Sequence, residues 1–88
     1  MKLLLLKKPD CMPCGMVERH LNGKLDGINH EIYDVETESG MTIASMYGAM
    51  SVPAIIALDE NGVVAARITG YKPAEMDALI TRLKENMR

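Results

Sequence analysis

The chain has 88 residues, a formal net charge of −2, 48% apolar and 25% charged residues, the balance of an ordinary globular protein. Its length predicts one domain over residues 1–88, burying only about 60% of the surface that the unfolded form exposes. The charge offers no attraction toward nucleic acid or an anionic membrane. With Tyr33, Tyr47 and Tyr71 as the only Phe, Tyr or Trp residues, the chain also lacks the stacking platforms of a single-strand binder.

Leu3 to Leu6 is a short, continuous apolar run that suits a strand buried on both faces. It is cut by Lys7-Lys8-Pro9-Asp10, well short of the roughly 7–15 apolar residues of an export segment, so a cytoplasmic protein is the expectation. Past Asp10, Cys14, Val17, Leu21 and Leu25 recur at helical steps, Pro13 suits a first turn, and Asn22-Gly23 breaks the helix. His30 to Glu36 reads as a second strand. Ser39 to Tyr47 reads as a short helix with Ile43, Met46 and Tyr47 on one side and Gly48 as its stop. Ala54 to Leu58 and Val63 to Thr69 form an antiparallel hairpin around Asn61-Gly62. Lys72 to Met87 closes the chain as a helix with Met76, Leu79, Ile80 and Leu83 facing the sheet. The order β-α-β-α-β-β-α predicts an α/β fold: a four-stranded mixed sheet with helices on both faces.

Cys11 and Cys14 are the only cysteines, and they admit three readings: a redox dithiol, half of a metal site, or buried core residues. A metal needs more ligands. The other good candidates, His20 and His30, are expected on solvated faces and match no familiar zinc spacing, so no metal is assigned. As a dithiol the pair sits where a strand meets a helix. Unpaired N–H groups and the helix dipole favour a thiolate at Cys11, and a thiol pKa in such settings falls from about 8.5 toward 7 or lower. Cys14, one turn in, is less exposed and keeps its proton longer. Cys11 would attack a substrate disulfide and Cys14 would release the product.

"CMPC" after a buried strand, "YGAMSVP" before a third strand, "DENGVVAARITG" as a hairpin and an amphipathic last helix together resemble the thioredoxin family, in order across nearly the whole chain. The resemblance implies a minimal thioredoxin fold and a protein-disulfide oxidoreductase without a cofactor. Its partners would be protein disulfides and a thioredoxin reductase, and it would act as a monomer. It further implies that Pro53 is cis beside the cysteines and that the Val52 backbone pairs with an extended substrate. Gly70 leaves room for that substrate, and Met12, Pro13 and Tyr71 line the rest of the groove. The compact plan is similar to that of glutaredoxins and of small redoxins that serve ribonucleotide reductase, which makes that enzyme a candidate client. Proline third in Cys-Met-Pro-Cys follows the thioredoxin pattern, so a reductase is favoured over glutathione. A glutathione-dependent glutaredoxin and a non-catalytic binding module are the alternatives. Asp10 stands where thioredoxins carry Trp, and Leu5 and Ile32 fall at about the positions of their buried Asp and its companion lysine. Asp10 is thus read either as a helix cap or as a proton acceptor for Cys14.

Overall fold

The computed structural model describes residues 1–85. The elements are β1 (Lys2–Lys7), α1 (Met12–Leu21), β2 (His30–Asp34), α2 (Glu38–Met46), β3 (Ala54–Leu58), β4 (Val64–Thr69) and α3 (Pro73–Glu85). The sheet runs β2-β1-β3-β4; β1 and β2 are parallel, while β1–β3 and β3–β4 are antiparallel. This is the expected α/β plan. Expected residues 86 and 87 of the last helix lie outside the described residues.

The apolar run of β1 explains its central place. Leu3 and Leu5 join Val17, Leu21, Ile55, Ile68, Met76 and Leu83 on the α1–α3 face. Leu4 and Leu6 join Ala54, Ile56 and Leu58 on the other face, with Ile43 and Tyr47 of the α2 region packed on them. All four leucines are buried, and a strand alternates its side chains between faces, so a run without polar breaks is what two-sided burial demands.

The boundaries differ from the sequence reading where side chains end an element. β2 stops at Asp34, two residues early. There the carboxylate accepts the Glu36 N–H at 2.8 Å, and the backbone carbonyl accepts the Thr37 N–H at 3.0 Å, turning the chain out of the ladder. Thr37 then caps α2, its hydroxyl accepting the Gly40 N–H at 3.0 Å, so the helix begins at Glu38. It ends at Met46 with Tyr47 as its cap, followed by Gly48 at φ 64°, the left-handed stop that glycine supplies. Met46, expected on the inner side, is instead exposed. The Asn61-Gly62 turn closes around Asp59, whose carboxylate accepts the N–H groups of Asn61 and Val63.

Candidate active site

β1 delivers the chain to α1 through Lys8–Asp10. Asp10 takes the left-handed conformation at φ 54°, which aspartate tolerates better than most side chains. Because the backbone turns there, Cys11 and not Asp10 becomes the cap of α1; its Sγ accepts the Cys14 N–H at 3.3 Å. Pro13 occupies the first turn, where no donor is lost. Cys11 and Cys14 are joined as a disulfide with their Cα atoms 5.2 Å apart, inside the ordinary span of such a bridge. Cys11 is partly exposed, and Cys14 is 2% exposed, behind it in the fold.

Beyond Met12 and Pro13 of α1, the expected groove residues come from two loops. The Val52–Pro53 peptide is cis; Pro53 is buried and Val52 partly so. Pro53 directly precedes β3, and its carbonyl accepts the Gly70 N–H at 2.9 Å, so the loops entering β3 and leaving β4 are tied together. Gly70 has φ 85°, and no atom would meet a Cβ built there. Its constraint is therefore the backbone conformation and the open space beside it. Tyr71 packs on the α1–α3 core. Met12 is 79% exposed and Met50 is 93% exposed, and Pro13 is exposed too.

The chain is 33% identical over 84 residues to the SPbeta prophage-derived thioredoxin-like protein YosR of Bacillus subtilis, a match that covers 96% of this chain and 100% of the relative. The chain belongs to the thioredoxin-like family. No family model matches it. Among solved structures it is similar to thioredoxin 1 of Thermosipho africanus, with a TM-score of 0.80 at 21% identity, covering 99% of this chain and 98% of that one. It is similar as well to mitochondrial thioredoxin 3 of Saccharomyces cerevisiae, with a TM-score of 0.77 at 21% identity, covering 93% and 77% respectively. With a Cys-x-x-Cys pair closed as a disulfide, this thioredoxin-like protein is a thiol–disulfide oxidoreductase.

Near the pair, Lys7 is engaged with Glu18 at 3.3 Å, which leaves the exposed Lys8 as the nearer free charge along the chain. Leu5 is buried and stands opposite Ile32 in the parallel ladder. Among the described residues no polar or charged side chain is buried, so no internal carboxylate stands behind Cys14. His20 is not on a solvated face: its side chain is 17% exposed. Its Nε2 lies 2.7 Å from Asp77 Oδ1, and its ring meets Tyr71 edge-on with centroids 6.1 Å apart. His30, by contrast, is exposed, with Nδ1 2.8 Å from the Ile28 carbonyl. Among the described residues no three His, Cys, Asp or Glu side chains are grouped to hold a metal, and no helix is long and apolar enough to cross a membrane.

The His20–Asp77 contact joins α1 to α3 across 57 positions of sequence, a proximity that no local pattern announces. The hydrogen bond with His20, aided by Lys24 and opposed by partial desolvation, holds the Asp77 carboxyl below its ordinary range. A carboxyl depressed in the folded state adds stability above its unfolded pKa and loses it as pH falls through the folded one. Asp77→Asn is accordingly expected to lower the denaturant midpoint modestly near neutrality. In strong acid the two proteins should converge, which urea titrations of both across the carboxylate range would check.

Proposed function

We propose that this protein reduces disulfide bonds in other proteins through Cys11 and Cys14, drawing its electrons from a thioredoxin reductase. The reading is carried by one observation: a partly exposed sulfur at the cap of α1 with a second sulfur buried directly behind it and within bonding reach. In the reduced protein, the Cys11 thiolate attacks one sulfur of the client disulfide. The client's other sulfur leaves as a thiolate, and a mixed disulfide forms. Cys14 loses its proton and attacks Cys11 Sγ, expelling the second client thiolate. Two electrons pass to the client and the Cys11–Cys14 bridge is restored.

With no buried carboxylate among the described residues, the Cys14 proton passes to water or to a surface group; Asp10 is the candidate closest in sequence. Met12, Pro13, Val52, Pro53, Gly70 and Tyr71 form the groove for an extended client segment, which adds to the Val52 backbone as a strand would. The protein works as a monomer in the cytoplasm. Ribonucleotide reductase is a client in keeping with the compact plan shared with small redoxins.

The decisive measurement is NADPH oxidation with insulin as substrate, supplied either with thioredoxin reductase or with glutathione and glutathione reductase. Turnover is expected with the first supply. Turnover only with the second would establish glutathione dependence, and turnover with neither would leave a binding module.

A further inference from the structure

A second feature shares only Tyr71 with the proposed groove, and its other residues are used by none of the steps above. Met16, Arg19, His20 and Tyr71 line a cleft of about 340 Å³ between α1 and the turn from β4 into α3. It shares Tyr71 with the proposed groove, and the neighbouring Gly70 donates its N–H to the Pro53 carbonyl at 2.9 Å. Its charge is one-sided. Glu18 is turned to Lys7 at 3.3 Å, and Asp77 is occupied by His20 at 2.7 Å and Lys24 at 3.7 Å. Glu75 lines a neighbouring cleft together with Arg82. Among the described residues no carboxylate lies within ion-pair distance of Arg19, and Lys72 adds another cation next to Tyr71. A local positive surplus on a chain of net charge −2 does not follow from its composition.

We propose that this cleft takes a carboxylate of the client polypeptide, an Asp or Glu side chain near the disulfide, and that Arg19 is the residue that selects it. The inference rests on the dithiol reading above. The Arg19 side chain runs back along α1, its Nη1 only 3.4 Å from where a Cβ on Gly15 would stand. Gly15 is one turn from Cys11, to whose carbonyl its N–H donates at 3.2 Å. A helical turn rises about 5.4 Å and an extended chain advances about 3.3 Å per residue, which places the acidic residue roughly two or three positions from the reacting client cysteine. Arg19 offers a planar pair of donors that matches a carboxylate. The Tyr71 hydroxyl provides another donor at the same cleft, and Met16 provides an adaptable apolar wall.

The test uses the reduced protein and three peptides of one sequence, each carrying a cysteine in disulfide linkage to a fluorescent thiol, with Glu, Gln or Lys two positions from that cysteine. An exposed charge-assisted pair predicts a Glu-over-Gln rate ratio of about 1.5- to fivefold at low salt, shrinking as salt screens it. Arg19→Gln should bring the ratio to about one, and Arg19→Glu should transfer the preference to the Lys peptide, a gain that a misfolded variant does not produce. Equal wild-type rates on all three peptides, or a ratio unchanged in both variants, overturns the subsite. Oxidised glutathione, whose carboxylates share this chemistry, is run in parallel: an Arg19 effect confined to it overturns the polypeptide assignment in favour of the tripeptide. A wild-type protein that reduces no peptide overturns the dithiol reading and this inference with it, a pattern distinct from equal rates on all three.

Discussion

Replacing Cys11 with Ser is expected to abolish disulfide reduction, and replacing Cys14 with Ser is expected to trap the client on Cys11. The difference follows from position. Cys11 is the partly exposed sulfur that caps α1. Serine is itself a favoured capping residue, so Cys11→Ser keeps the helix start and removes only the nucleophile. Loss of an attacking group of this kind costs at least about a thousandfold in turnover. Cys14 is 2% exposed and acts in the release step. Without it the first exchange still proceeds, but the mixed disulfide decays only by uncatalysed rearrangement, over minutes to hours. Mass spectrometry of the Cys14→Ser protein after mixing with oxidised client should show a covalent adduct that a reducing agent removes, and the insulin assay should show no turnover for either variant. Because a buried serine hydroxyl without a partner costs about 1–3 kcal/mol, Cys14→Ala serves as the parallel variant. Substantial turnover by Cys11→Ser, or adducts carried by Cys14 instead of Cys11, would defeat the assignment of roles.

What the amino-acid order reveals about this protein divides along sequence distance. The unbroken leucines of β1 could be read as a central strand because two-sided burial leaves no room for a polar alternation. The α3 stripe, Met76, Leu79, Ile80 and Leu83, is buried as its spacing foretold. Gly48 was legible as a stop because a left-handed residue there needs no side chain. Cys11 and Cys14 were legible as a pair because they are neighbours, whereas the cis bond at Val52–Pro53 was reached through the family resemblance. The end of β2 was missed because it depends on the Asp34 carboxylate folding onto the Glu36 N–H, a competition between side chain and ladder that apolar periodicity does not record. Residue preference admits Asp10 as the cap of α1, yet the turn at Asp10 passes that place to Cys11. The partnership of His20 with Asp77 and Tyr71, and with it the cleft that Met16, Arg19, His20 and Tyr71 line, arises only once α1 and α3 lie side by side.

The seat of α2 on β2 gives the other large effect: Gly40→Ala should destabilise the protein, although the same change elsewhere in a helix stabilises it. Gly40 is the buried residue of α2. A Cβ there would overlap the backbone carbonyl of Asp34 and come to 3.0 Å from the Val35 Cα. That carbonyl is already fixed, accepting the Thr37 N–H at 3.0 Å and the Thr37 hydroxyl at 2.7 Å. Exchanging glycine for alanine in a helix gains up to about 1 kcal/mol, while forcing atoms into a packed site costs about 1–3 kcal/mol or more. The obstacle here is backbone held at both ends, so the cost wins, with a net loss of about 2 kcal/mol or more, or roughly 8–16 °C in Tm for a protein of this size. Gly15→Ala in α1 supplies the contrast. A Cβ there meets only the Arg19 Nη1, at 3.4 Å, the far end of a flexible side chain, so stability should rise by up to about 1 kcal/mol. The consequence of the Gly40 seat reaches the loop ahead of β3, because α2 leads through Tyr47, whose carbonyl accepts from Arg67, to the cis Val52–Pro53 bond, which the proposed function assigns to the client groove. Thermal melts of the two variants should therefore move in opposite directions, with insulin reduction falling in Gly40→Ala even at temperatures where it remains folded. Equal and small shifts in both would mean that α2 is free to slide on β2 and that the loop is positioned by something other than the close approach of Gly40 to Asp34.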